Sequence, residues 1–278
     1  MGLAAAVMVA EIAGGVASNS LALLADAGHV FTDVLALGLA MFAVTVAARP
    51  ATDRATFGYY RVEILSALAN GVLLVLISLG IMWEAYRRFS DPPEVAGATV
   101  MGVALLGLAG NLGGLYVLRG ASRRSLNVRG AVMHVVGDTL SSLAVVICGA
   151  LIVATGWKRV DAGLSALIGA VIIIGAFRLV REAVDVLLEA GPACIELKSV
   201  SADIQEIPGV RQVHDLHIWS ITSGMTALSG HIVVEETTTL HCDRILNTIK
   251  SLLKERYEIH HTTIQIESEA YREIGEVH

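Results

Sequence analysis

Two histidine–aspartate pairs, each spaced by four residues, stand in apolar stretches of this 278-residue chain. LLADAGHVFTD carries His29 and Asp33, and AVMHVVGDTL carries His134 and Asp138. On an α-helix, residues four apart lie about 40° apart around the axis and one turn apart along it. Each pair therefore projects from one helix face. If the two helices face each other, two imidazoles and two carboxylates converge. Those are four ligands of the kinds Zn²⁺ takes, enough for a tetrahedron.

Charge explains why apolar surroundings tolerate such residues. An ionised side chain at the centre of a bilayer costs at least about 2.5–3.5 kcal/mol. A divalent ion cancels the charge of two carboxylates. Without metal, protons do part of the same work, because histidine titrates near neutrality and a desolvated carboxylate binds its proton more tightly. The same four groups can thus hold either a metal ion or protons, which is the chemical requirement for metal/proton exchange. One buried pair reads equally well as a structural hydrogen bond between helices. Two pairs with identical spacing favour a metal site.

Asp26 lies seven residues before Asp33, on nearly the same helix face. Two readings stay open for it: a lining position on the path from the site to the outer side, or a capping or hydrogen-bonding role near Ser18-Asn19-Ser20. Glu11, Glu63, Asn70 and Asn111 also lie inside apolar runs, and they read as interhelical hydrogen bonders rather than ligands.

The elements that must position these residues follow from composition. The chain is 54% hydrophobic and 17% charged, with a mean hydropathy of +0.65; soluble domains are nearer a quarter charged. This is a membrane protein. Six apolar runs suffice as spans: 3–17, 21–48, 62–86, 98–118, 128–155 and 162–180. The first is short, contains Glu11 and lacks the basic start and cleavage pattern of a signal peptide, which suggests a cytosolic segment ahead of it. Seven arginines (49, 54, 61, 119, 123, 124 and 129) lie in the loops after spans two and four, against Arg87, Arg88, Lys158 and Arg159 opposite. The bias places the first set, both termini and the tail in the cytoplasm.

The charge is uneven. Residues 1–191 hold 13 Lys+Arg against 13 Asp+Glu, and residues 192–278 hold 7 against 13, so the net −6 belongs to the tail. The division separates a neutral membrane part over 1–191 from an acidic, histidine-rich soluble part over 192–278. An acidic tail argues against nucleic acid. Cys148, Cys194 and Cys242 form no disulfide framework. In the tail, helical and alternating patterns run in the order αββαβ, a small α+β layer with helices on one sheet face. HDLHIW and SGHIVVE put His214 and His231 on neighbouring strands, and His260 and Glu267 flank the third. These four form a candidate His₃Glu metal site, within a subunit or across a dimer. His217, His241 and His261 carry less weight, and His278 reads as a free end.

SNSLALLADAGHVFTD, FGYYRVEILSALANG, LNVRGAVMHVVGDTLSS and VHDLHIWS resemble the cation diffusion facilitator family, in its zinc-transporter branch with HxxxD on both site helices. The resemblance spans nearly the whole chain. It implies a homodimer with six spans per subunit and a metallochaperone-like cytosolic tail that makes dimer contacts. It implies export of Zn²⁺ from the cytosol in exchange for protons, by alternating access. His29, Asp33, His134 and Asp138 would be the transport site, and His214, His231, His260 and Glu267 the tail site. The loop RPATDRATFGYYR has Asp53 but no histidine, so the further metal site that some relatives carry there is not expected. The loop RGASRRSLNV lacks the histidines common in animal relatives and looks bacterial, which places the chain in a bacterial inner membrane. The rival readings are a passive divalent metal channel and a metal-sensing membrane protein. An intramembrane metalloenzyme is disfavoured because the step is HxxxD, not HExxH, and four protein ligands leave no open position for water.

Overall fold

A computed structural model describes residues 2–118, 126–235 and 238–271. Six helices come first: α1 Gly2–Ser18, α2 Leu21–Ala47, α3 Arg61–Ser90, α4 Gly97–Leu118, α5 Leu126–Thr155 and α6 Arg159–Leu187. α2 to α6 are long and apolar enough to cross a membrane. With 17 residues, α1 is about 25 Å long. The breaks fall where backbone chemistry demands. Asn19 takes φ 54° between α1 and α2, Pro92-Pro93 follows α3, and Gly156 takes φ 69° after α5. The histidine-free loop between α4 and α5 lies, over residues 119–125, outside the described residues, as does His278.

The chain divides into two compact units, residues 1–42 with 66–180 and residues 43–65 with 181–278. The division cuts through α2, α3 and α6. In the first unit, small residues let helices meet backbone to backbone. A Cβ on Gly149 of α5 would stand 2.8 Å from Met101 N and 3.0 Å from Gly97 O of α4. Leu23, Val100, Ala104, Val145, Cys148 and Ile152 fill the seam around this contact. Large apolar side chains such as Phe42, Leu76, Leu106, Ile147 and Phe177 point outward, as lipid-facing residues do.

The start of α2 is held by α6. Ser20 Oγ accepts from Leu23 N at 3.2 Å and donates to Asp161 Oδ1 at 2.5 Å. Asp161 also accepts from Leu21 N at 2.7 Å and Ala22 N at 3.3 Å. Otherwise orphaned amides of the first turn are thus satisfied by a serine cap backed by a carboxylate from another helix. The first turns of α2 and α6 therefore share one side of the membrane.

The second unit carries the tail: α7 Leu197–Gln205, β1 Val210–Thr222, β2 Met225–Val234, α8 Thr239–Tyr257 and β3 Ile259–Ser268. The sheet order is β1-β2-β3, with β1 antiparallel and β3 parallel to β2. The antiparallel pair needs only the Ser223-Gly224 loop, where Gly224 takes φ 72°. The parallel pair needs a crossover, which α8 provides. Val200 and Ile204 of α7 and Ile245, Ile249 and Leu253 of α8 pack on Ile218, Leu228, Ile232 and Val234. The intervening strand residues, His231 among them, therefore face the other side of the sheet. Two contacts tie the α3 start into this unit: Arg61 to Glu189 at 2.7 Å, and Thr222 Oγ1 donating to Glu63 Oε2 at 2.6 Å. Glu63 thus bonds a strand of the tail rather than another helix.

Candidate metal centres

α2 and α5 bring the two His–Asp pairs together. His29 Nε2 lies 3.8 Å from Asp33 Oδ2 and 3.6 Å from Asp138 Oδ1. His134 Nε2 lies 3.4 Å from Asp33 Oδ2 and 3.7 Å from Asp138 Oδ2. The four groups alternate nitrogen and oxygen around a ring. A tetrahedron with zinc bonds of 2.0–2.2 Å has edges of about 3.3–3.6 Å, close to the four distances seen. The imidazoles meet edge to face, with centroids 6.2 Å apart. The ligand atoms of His29, Asp33 and Asp138 lie within 4.8 Å of one another, and His134 closes the ring from the more exposed side. All four border a cavity of about 540 Å³ whose remaining walls are mostly apolar residues of α3, α5 and α6. His29 Nδ1 is buried with no hydrogen-bond partner among the described residues.

Asp26 stands one turn nearer the start of α2 and is 2% exposed. It takes hydrogen bonds from two α5 hydroxyls, Ser141 at 2.5 Å to Oδ1 and Ser142 at 3.4 Å to Oδ2. The capping role near Ser18-Asn19-Ser20 falls instead to Ser20 and Asp161. Asn111 of α4 donates to Ser142 Oγ at 3.1 Å, the interhelical bond its position suggests. Glu11 departs from that pattern: its Oε2 has no partner among the described residues.

The tail cluster is built by strand register. His214 is the direct cross-strand partner of His231, and His231 pairs with Gln265 of β3. Glu267, two residues on, therefore shares that sheet face. Its carboxylate lies 3.1 Å from His214 Nε2 and 3.1 Å from His231 Nδ1, and the rings are 5.3 Å apart. The three ligand atoms lie within 4.8 Å of one another, a donor set suited to zinc. His260 stands elsewhere. It is exposed at the start of β3, seven residues or about 23 Å of strand from Glu267. One subunit thus assembles His₂Glu from the four expected residues.

Two neighbours of this cluster escaped the sequence reading. Gln265 donates to Glu267 Oε1 at 2.8 Å. Asp215 sits in a bulge of β1 with φ 48°, where the register gains one residue between His214 and His217. Its carboxylate lies 3.9 Å from His231 Nε2 and 3.0 Å from His217 Nε2. Strand alternation alone puts Asp215 on the opposite face from His214, and nothing in the local sequence announces the bulge.

Residues 1–188 match the cation efflux transmembrane domain, and residues 192–269 match the cation efflux protein cytoplasmic domain. The chain belongs to the cation efflux family. This is the cation diffusion facilitator family that the motifs resemble. A cadmium, cobalt and zinc/H(+)-K(+) antiporter of Bacillus velezensis is 40% identical over 267 residues, covering 95% of this chain and 85% of the relative. The metal cation efflux system protein CzcD of Cupriavidus metallidurans is 41% identical over 261 residues, covering 94% and 82%. The zinc transporter ZitB of Escherichia coli K12 is 39% identical over 268 residues, covering 96% and 85%. Like other cation efflux proteins, the chain is a metal-ion transporter and not an enzyme. It is an integral membrane protein whose C-terminal domain is cytoplasmic.

Proposed function

We propose that the chain is a Zn²⁺/proton antiporter that exports the ion from the cytosol by alternating access through His29, Asp33, His134 and Asp138. The observation that carries this reading is the ring of alternating N and O atoms with edges of 3.4–3.8 Å, presented by two helices to an apolar cavity. Two imidazoles and two carboxylates match zinc in ligand type and number. The same groups accept protons once the ion leaves, so metal and protons compete for one set of atoms. The half-exposed His134 gives the ion an approach that needs no rearrangement of the buried side. Asp26, one turn outward, lines the exit path. The relatives' names include cadmium and cobalt, and imidazole and carboxylate do not by themselves exclude either.

In this reading residues 1–191 form the transport domain and 192–278 the cytosolic domain, which joins two copies into a homodimer. The tail cluster fits a resident zinc ion on its donor chemistry. His214, His231 and Glu267 would hold the ion, which would cross-link all three strands.

The test is flux in sealed vesicles containing the purified chain. Zinc entering one way should drive protons the other way, and a pH gradient should drive zinc. Zinc movement indifferent to a pH gradient would point to a passive channel instead.

A further inference from the structure

Glu11 is a carboxyl that the transport reading leaves without a task. It lies in the middle of α1 and is 1% exposed. The structure makes room for it: a Cβ on Gly107 of α4 would stand 2.6 Å from Glu11 Oε1. Its other oxygen, Oε2, is buried with no hydrogen-bond partner among the described residues. The charged groups that act on it from the surrounding helices are Asp26 of α2 and Asp138 of α5, both acidic. α4, which supplies the glycine, has no charged residue. An ionised carboxylate with an unpaired oxygen and acidic neighbours is costly in such apolar surroundings. A proton-bearing acid is not.

The point where a Gly107 Cβ would lie is 3.7 Å from Ser142 Oγ. Ser142 takes a hydrogen bond from Asn111 and reaches Asp26, and Ser141 bonds the same carboxylate. Asp26 precedes His29 by three residues, and Ser141 and Ser142 follow Asp138 by three and four. Glu11 Oε1 and Ser142 Oγ thus stand beside the same glycine, and Ser142 bonds the carboxylate one turn from the quartet.

We propose that Glu11 is a proton carrier of the exchange, holding a proton while the quartet is without metal and releasing it when a divalent ion enters. The proposal rests on the transport reading above. The balance is simple. The ion brings two positive charges near the chain, one O–H bond of Glu11 breaks, the proton leaves to water on the side from which the metal came, and a carboxylate remains. Departure of the metal on the other side restores the proton from there.

The experiment counts protons. Zinc is titrated into the purified full chain in buffers of different ionisation enthalpy, which gives protons released per ion bound. Zinc and proton fluxes are then followed in vesicles across a range of pH. Glu11→Gln should release about one proton fewer per zinc ion, since the linked proton number is the difference in protons bound between the two states. Its zinc transport should lose part of its response to a pH gradient. The same proton count and pH profile as wild type would overturn the proposal. If Glu11→Gln does not accumulate folded, Glu11→Asp keeps the acid and should shift the pH profile; an unshifted profile would overturn it equally. Wild type and Asp138→Ala run alongside. Absent zinc/proton exchange in wild type, or full exchange in Asp138→Ala, sinks the transport reading itself rather than the role of Glu11.

Discussion

The proposed transport quartet and the candidate tail cluster offer the same donor types on different scaffolds. In the quartet, each His–Asp pair comes from a single helix, and tertiary packing need only bring two helices together. In the tail, each ligand comes from a different strand, and the three meet only because the register of β1, β2 and β3 is right. Their support differs as well. The Glu267 carboxylate is 6% exposed and is braced by Gln265, with Asp215 within reach of the adjacent imidazole. In the quartet, the His134 side chain is 51% exposed. Partners behind the ligands fix their orientation and tighten metal binding. A braced site suits an ion that stays, and a loosely braced one suits an ion that must leave.

The largest effect should come from the quartet. Asp138→Ala or Asp33→Ala leaves three ligands and one negative charge for a divalent ion, so zinc flux in vesicles should fall to background. The variant should still fold, since losing an intramembrane carboxylate relieves a desolvation cost. Near-normal flux would break the comparison at its root.

Next in size is the tail. His231→Ala or Glu267→Ala should lower zinc affinity of the tail site at least about 10–100-fold, the cost typical even for outer-shell partners. Transport should stay near wild type, because the tail ligands belong to the cytoplasmic domain and are not among the four residues of the quartet. Calorimetric titration and vesicle flux on the same preparations check both. Loss of transport as complete as in Asp138→Ala would merge the two centres into one pathway.

A subtler change sharpens the contrast. His29→Asp exchanges an oriented imidazole for a carboxylate, a harder ligand with looser geometric demands. Cd²⁺ should then compete better against Zn²⁺, and the pH dependence of flux should move because an imidazole leaves the set of proton acceptors. Flux of each metal against pH, at matched protein content, reads both. An unchanged preference and profile in a folded variant would remove His29 from the ligand set.

The smallest effect is expected at His260. Lying about 23 Å of strand from Glu267, its replacement by alanine should leave tail zinc affinity within about twofold. A loss as large as that of His231→Ala would mean that the site is completed across a dimer.

The spans and the αββαβ order were legible because each rests on local pattern. Twenty apolar residues in a row, or alternation interrupted by Pro208-Gly209 and Ser223-Gly224, need no distant partner to be read. The glutamate in α1 was legible as buried but not in its bonding. Whether it meets a donor depends on α4, and α4 presents Gly107. The bonding of Asp26 was hidden for the same reason, since reading it required knowing that Ser141 and Ser142 face it. Asp161 gave no signal as a cap for α2, because 140 residues separate donor and acceptor.

By itself the sequence determined which groups share a face. The four-residue step makes His29 and Asp33, or His134 and Asp138, neighbours wherever the helix goes, because helical periodicity is a property of the backbone. It also determined that such groups, set in apolar runs, call for a cation or protons. Only the tertiary structure decided which faces meet. α2 approaches α5 so that nitrogen and oxygen alternate at 3.4–3.8 Å. A one-residue bulge turns Asp215 toward His231, and β3 carries Glu267 to the cluster and His260 away from it. Those outcomes depend on register and close packing between elements far apart in the chain, where a shift of one residue in a strand, or one methyl at Gly149, changes every contact.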